Sequence, residues 1–238
     1  MYQTDLAICA DMESFADMVV STMPLSGGDM AEARADWLDW STPKPREGVT
    51  LDLGQCVAAM RERLGPDDAV ICNGAGNFSG WWHRYWRYGA QPSQLAPTSG
   101  AMGYGTPAAV AAALRRPDKL AVALAGDGDF MMNGQELATA IQHNADMLVL
   151  VIDNGAYGTI RMHQEREFPA RLSGTTLHNP DFAALARAYG GWAETVERTA
   201  DFAPALDRAL AQTGVRLLHL KTDVEFITPG TTITAIRG

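Results

Sequence analysis

Gly126-Asp127-Gly128-Asp129 stands directly after the apolar run Leu120–Ala125, and a second apolar run, Met147–Ile152, ends in Asp153-Asn154-Gly155. An acidic residue in a glycine turn at one strand's carboxyl end, then an amide at the next, is the pattern of a metal–diphosphate site. Glycines admit the backbone close to phosphate oxygens, and Asp127 and Asn154 offer the hard oxygen ligands that suit Mg²⁺. Asn154 follows Asp127 by 27 residues, about one strand–helix–strand step. Singly, Asp, Asn and Gly are ordinary turn formers. Their pairing, spacing and flanking motifs favour the metal.

Outward from that pair the chain alternates regularly. Leu53, Val57, Met60 and Leu64 recur at helical spacing, and Gly65-Pro66 stops the helix. A short strand Ala69–Cys72 follows, then an Ala-rich helix Ala108–Leu114 with Pro107 near its start. Strand Leu120–Ala125, helix Gly134–His143 and strand Met147–Ile152 come next. Helices Asp181–Tyr189 and Asp201–Gln212 and strand Val215–Leu220 complete the series. Apolar strands without polar alternation, separated by helices, predict an α/β fold: a doubly wound, mostly parallel sheet with helices on both faces. Ligands in such folds bind beyond the carboxyl ends of the strands, where Asp127 and Asn154 fall.

Ahead of this region, residues 1–23 read as a short strand (Leu6-Ala7-Ile8-Cys9) and an amphipathic helix around Met12–Val20. Residues 24–49, rich in Pro, Gly and charge, read as a linker carrying a short helix near Ala31–Trp40. Residues 50–238 form the main domain.

A chain of 238 residues supports one large core, or one domain with a smaller piece. The net charge of −9 argues against a nucleic-acid partner, whose binding surface is normally basic. The aromatic run Trp81-Trp82-His83-Arg84-Tyr85-Trp86-Arg87-Tyr88 is therefore expected at a subunit interface or over the mouth of the site, not stacked on bases. Cys9, Cys56 and Cys72 form no CxxC pair and fit a reducing compartment. No apolar run approaches the ~20 residues that cross a bilayer, and the N-terminus lacks signal-peptide features. The expectation is a cytoplasmic protein with no membrane partner. Gly74-Ala75-Gly76-Asn77-Phe78-Ser79-Gly80 fits the dinucleotide fingerprint poorly, with its last glycine one position late and no acidic residue ending a second strand downstream.

With the intervening Phe130 and Asn133-Gly134-Gln135-Glu136-Leu137-Ala138-Thr139, the Asp127–Asn154 pair resembles the signature of thiamine-diphosphate-dependent enzymes. Gly100-Ala101-Met102-Gly103-Tyr104-Gly105-Thr106-Pro107 upstream, and Asn179-Pro180-Asp181-Phe182 with Leu185–Gly190 downstream, look like the acetolactate synthase large subunit. The likeness runs from about Thr50 to Lys221 and identifies the diphosphate-binding, C-terminal domain. It implies thiamine diphosphate and Mg²⁺ as cofactors. Asp127, Asn154 and the main-chain carbonyl of Ala156 would hold the metal. Gly126, Gly128, Asp129, Asn77 and Tyr157 would surround the diphosphate, with the Asp129 side chain turned away from it. Asn77 and Phe78 stand where the family loop has Gln and His, so Phe78 has lost a donor. Gly100 would accept from the aminopyrimidine, and Met102 would wedge the cofactor into its bent shape.

Tyr157–Thr176 aligns with the segment that closes over substrate in the family. There His163 replaces the tryptophan that selects the second oxoacid, and Thr159 a nearby methionine; Arg161, His163 and Gln164 are candidate substrate contacts. The glutamate that activates the cofactor lies in the family's pyrimidine-binding domain. Neither Glu136 nor Glu165 occupies a matching motif, so no catalytic residue is assigned. Residues 2–11 resemble the tail of the family's middle domain, which would leave little of an FAD site. The resemblance implies a 2-oxoacid substrate, a homo-oligomer, and a pyrimidine-binding domain or chain as partner. Truncation of a full-length enzyme is expected over a split one, and a non-catalytic binding domain is the alternative.

Overall fold

The computed structural model describes residues 3–22 and 30–238. Residues 24–29 of the expected linker lie outside the described residues. The chain divides into two compact units, Met1–Trp40 and Ser41–Gly238. In the first, helix α1 spans Met12–Thr22 and α2 spans Ala31–Trp40. Residues 6–9, expected as a strand, are exposed and join no ladder among the described residues, so a four-residue apolar run alone does not make one.

The second unit runs α3 (Leu53–Arg61), β1 (Ala69–Asn73), α4 (Ser79–Tyr85), β2 (Gln94–Leu95), α5 (Gly105–Arg115) and β3 (Leu120–Gly126). It continues with α6 (Asp127–Asn133), a 3₁₀ turn (Gly134–Glu136), α7 (Leu137–Gln142), β4 (Met147–Asp153), α8 (Gly158–Glu167) and α9 (Phe182–Ala188). β5 (Trp192–Val196), α10 (Thr199–Leu210), β6 (Val215–Lys221) and α11 (Ile233–Arg237) follow. The six strands lie in the order β2-β1-β3-β4-β6-β5, and every pairing is parallel. This is the doubly wound α/β sheet that the uninterrupted apolar strands predict.

The strands sort their side chains by parity. Leu148, Leu150 and Ile152 of β4 join Val122, Leu124, Leu218 and Leu220 on one face, under Met60 of α3, Trp82 of α4 and Phe202 of α10. Met147, Val149 and Val151 join Ala121, Ala123, Ala125 and Leu217 on the other, under Ala109 of α5, Leu137 of α7 and Phe182 of α9. Alanines meet on both sides of the α5–β3 contact, so that helix sits close to its strand. All seven residues of β4 are buried, and each large aliphatic among them contributes about 1.5–3 kcal/mol.

Three local expectations are corrected. The aromatic run is mostly interior: Trp81, Trp82, Tyr85 and Trp86 are buried in the core beside α3, so α4 packs its aromatics against the sheet, and of the run only Trp81 also borders the site as expected. The expected glycine turn at 126–129 is a helix start, with Gly126 as N-cap (φ −71°, ψ 164°) and Asp127 the first residue of α6. The single expected helix 134–143 begins instead as a 3₁₀ turn, because Asn133 (φ −139°, ψ 23°) interrupts the helical path after α6. Among the described residues no helix is long and apolar enough to cross a membrane.

Candidate functional site

The carboxyl ends of β1, β3, β4 and β6 open on one cavity of about 230 Å³. After β1 the chain leaves for the edge strand β2 and returns as β3 on the other side of β1. That reversal parts the loops and leaves a crevice. Asn77 and Phe78 line it after β1; Gly126, Asp127, Gly128 and Asp129 after β3; Asn154, Ala156 and Tyr157 after β4. Gly100 and Met102 reach it from the loop before α5. Eleven residues read from four separate sequence stretches thus border a single space.

Asp127 is engaged on both oxygens. Its Oδ1 accepts from the Gly128 amide (2.9 Å), and its Oδ2 from the Asn179 carboxamide (2.7 Å) and the Ala156 amide (3.2 Å). Asn154 Oδ1 accepts from the same Ala156 amide at 3.1 Å. The two side chains read as metal ligands therefore meet at one backbone N–H. Burial pushes the Asp127 carboxyl up to about 6, and the neighbouring Asp153 charge adds to the rise against the Asn179 and Gly128 hydrogen bonds. A carboxylate held in so unfavourable a place gains strongly from a cation.

Asp129 is buried too. Its Oδ1 accepts from the Gly103 amide at 2.7 Å, while Oδ2 has no hydrogen-bond partner among the described residues. Burial lifts its carboxyl to about 6, against the pull of the Gly103 and Ala75 amides.

Gly126 and Gly128 are glycines for space, since neither has positive φ. A Cβ on Gly126 would strike the Phe78 ring, and one on Gly128 the Tyr157 ring. Phe78 packs against the core under the β3 end. Gly100 differs: its φ of +68° is a left-handed conformation that other residues adopt at a cost.

The segment after β4 returns to the site. Ala156 forms a bridge with Thr176, and the Leu177 amide donates to Gly155 O at 2.8 Å. The α8 residues that line the cavity are Gly158, Thr159 and Ile160, and the Thr159 hydroxyl accepts from the Asn77 amide at 3.0 Å. Arg161, His163 and Gln164 do not line it, because the turning helix carries them elsewhere. Arg161 lies 3.7 Å from Glu165, His163 is exposed, and Gln164 donates to Ser173 O at 2.8 Å. The Glu165 side chain has no exposed surface; hydrogen bonds from Arg237 and the Ala170 amide hold its carboxyl down to about 2. Glu136 accepts from the Thr139 hydroxyl.

A polar group behind Asp127 escaped the sequence reading. Asp153 Oδ2 accepts from His219 Nε2 (2.8 Å) and Lys221 Nζ (2.6 Å), and its Oδ1 from the Gly155 amide and Asn179. Although burial works the other way, these donors hold its carboxyl far below the usual range. The Asn179 carboxamide is thus shared between Asp127 and Asp153, at 2.7 Å from each. The signal was present in the second half of β6, where His219 and Lys221 alternate around Leu220 and lie in register with Val151 and Asp153. Thr222, Phe226 and Ile227, beyond β6, complete the cavity wall and carried no signal.

Comparison with known proteins agrees with this geometry. The family described as "Thiamine pyrophosphate enzyme, C-terminal TPP binding domain" matches residues 74–220. The acetolactate synthase isozyme 2 large subunit of Escherichia coli (strain K12) is 37% identical over 161 residues, 66% of this chain and 29% of that protein. Acetolactate synthase of Arthrospira platensis is 28% identical over 231 residues, 92% of this chain and 39% of that one. A solved structure, the Rhodococcus jostii RHA1 thiamine diphosphate-dependent 4-hydroxybenzoylformate decarboxylase, matches with a TM-score of 0.69 and 31% identity, covering 75% of this chain and 34% of its own. The chain spans about a third of the length of these relatives. It belongs to the thiamine pyrophosphate enzymes, as a C-terminal TPP-binding domain similar to that of acetolactate synthase.

Proposed function

We propose that this domain holds Mg²⁺ and the diphosphate of thiamine diphosphate for a 2-oxoacid decarboxylase or carboligase. The observation that carries this is the meeting of Asp127 Oδ2 and Asn154 Oδ1 at the Ala156 amide, at the mouth of a cavity floored by Gly126 and Gly128. The donor set fits the group. A carboxylate, a carboxamide and the Ala156 carbonyl are all hard oxygen ligands. Among the described residues no three His, Cys, Asp or Glu side chains form a cage of their own. Mg²⁺ is commonly held in this way, by one or two protein side chains with phosphate oxygens and water completing the shell.

Asp127, Asn154 and Ala156 would hold the cation. Gly128, Asp129 and Asn77 would face the diphosphate, and Gly100 and Met102 the pyrimidine and the bend. When bound, the cofactor supplies the carbanion chemistry that cleaves a 2-oxoacid. The protein's part is to fix its shape and to keep the cavity walls of Phe78, Tyr157 and Ile227 apolar.

The activating acid would come from a pyrimidine-binding domain or chain, in keeping with relatives about three times as long. Glu165 is committed to Arg237, and Glu136 to Thr139. A homo-oligomer is part of the same proposal. Incubating the isolated chain with Mg²⁺, thiamine diphosphate and pyruvate, and following carbon dioxide release, is expected to show no turnover. Appreciable turnover would sink the claim that activation comes from outside the chain.

A further inference from the structure

Met102 half-lines the cavity from an awkward place. Residues 98–101 are exposed, and the turn that follows carries Gly103 at φ +84°. Among the described residues, the hydrogen bonds that tie 98–103 to another element both fall on Gly103, and both come from α6. Asp129 Oδ1 accepts from the Gly103 amide at 2.7 Å, and Asn133 Nδ2 donates to the Gly103 carbonyl at 2.9 Å. Asp129 and Asn133 are four residues apart and share one face of the helix. The contact is close: a Cβ on Gly103 would meet the Asn133 carboxamide and Met132 Cβ. Gly103 is therefore fixed by φ, by space and by both of its peptide groups. Met102, its neighbour, is placed by that clamp.

The same seven-residue helix begins with Asp127 and Gly128. We propose that Asp129 and Asn133 are positioning residues that couple the cation–diphosphate end of the site to the Met102 wedge, so that filling one end of α6 settles the other. This rests on the assignment of Mg²⁺ and thiamine diphosphate to the cavity. Asn133 needs no contact with the cofactor to act, since its partner is the Gly103 carbonyl. Asp129 acts through its side chain on Gly103, whatever its amide does.

Amide hydrogen exchange on the full chain, read by peptide mass spectrometry, separates the two levels of the claim. Asn133→Leu keeps the side chain's bulk and removes its donor. It is expected to speed exchange across residues 100–104 at least tenfold while β3 stays protected. Asn133→Asp, which is isosteric but cannot donate when ionised, is expected to do the same, and Asn133→Gln to recover part of the protection. Exchange across 100–104 within twofold of wild type, in either donorless variant with β3 still protected, would overturn the clamp.

In the wild type, adding Mg²⁺ with thiamine diphosphate is expected to slow exchange at 126–130 and at 100–104 together. In Asn133→Leu only 126–130 should slow. Slowing at both segments in that variant refutes the coupling. No slowing at either segment in the wild type refutes the cofactor assignment beneath it, which the clamp in the ligand-free chain survives.

Discussion

Asp127, Asp129 and Asp153 are three buried carboxylates within one site, and the structure treats them differently. Asp153 is compensated by His219, Lys221 and Asn179, whereas Asp127 and Asp129 have amide donors and, among the described residues, no cationic side chain paired with them. The consequence for stability has a definite sign. A carboxyl raised from 3.8 to about 6 in the folded chain binds a proton there that the unfolded chain has released. Its favourable contribution is present below pH ~4 and is lost as pH rises toward 6. Asp129→Asn removes one such group while its Oδ1 still accepts from Gly103. By chemical denaturation without ligands, the variant is expected to be about 2 kcal/mol more stable than wild type at pH 7.5 and equal to it near pH 4. A difference that does not change with pH would refute the assignment. The glycines make a steric prediction. Gly128→Ala drives a methyl into the Tyr157 ring and is expected to cost about 1–3 kcal/mol. Combined with Tyr157→Ala, the two changes should fall short of additivity by more than about 0.5 kcal/mol.

At the scale of elements, the long apolar strands and Ala-rich helix were legible because their patterns are unmixed. β4 and β6 announce themselves as buried parallel strands. β5 did not, since Trp192-Ala193-Glu194-Thr195-Val196 is a half-exposed edge strand with no clean period. β2, at two residues, is too short to leave one. The aromatic run was legible only in part: Trp81 borders the cavity as expected, but aromatic density fits an interface and an interior equally well, and only α4's docking on the sheet face shows the other rings to be core. Trp82→Ala is therefore expected to cost about 3–5 kcal/mol by denaturant titration, as a core truncation does. A cost below about 1 kcal/mol would place Trp82 outside the core. α8 was read as a segment over the substrate. It is a helix whose first turn brings Thr159 and Ile160 to the cavity and whose later turns lead to Glu165 and Arg237. Residues three apart in sequence there face different surroundings, which an alignment of the segment does not resolve.

For the molecule as a whole, the fold followed from periodicity, and the neighbourhood of the site followed from the rule that ligands gather at strand ends. Asp127 and Asn154 needed only their own strands to be found. Asn179, His219 and Lys221 did not stand out, because their roles come from pairings across β4 and β6 and from a loop that folds back over 50 residues later in the sequence. Such long-range partners are set by topology. The central claim concerns the two proposed ligands that one strand–helix–strand step brings together, and calorimetric titration of the full chain with thiamine diphosphate tests it most directly. Saturable binding is expected with Mg²⁺ and not in EDTA, with affinity at least tenfold weaker in Asp127→Ala. Binding that is indifferent to the cation, or unchanged in Asp127→Ala, would contradict it.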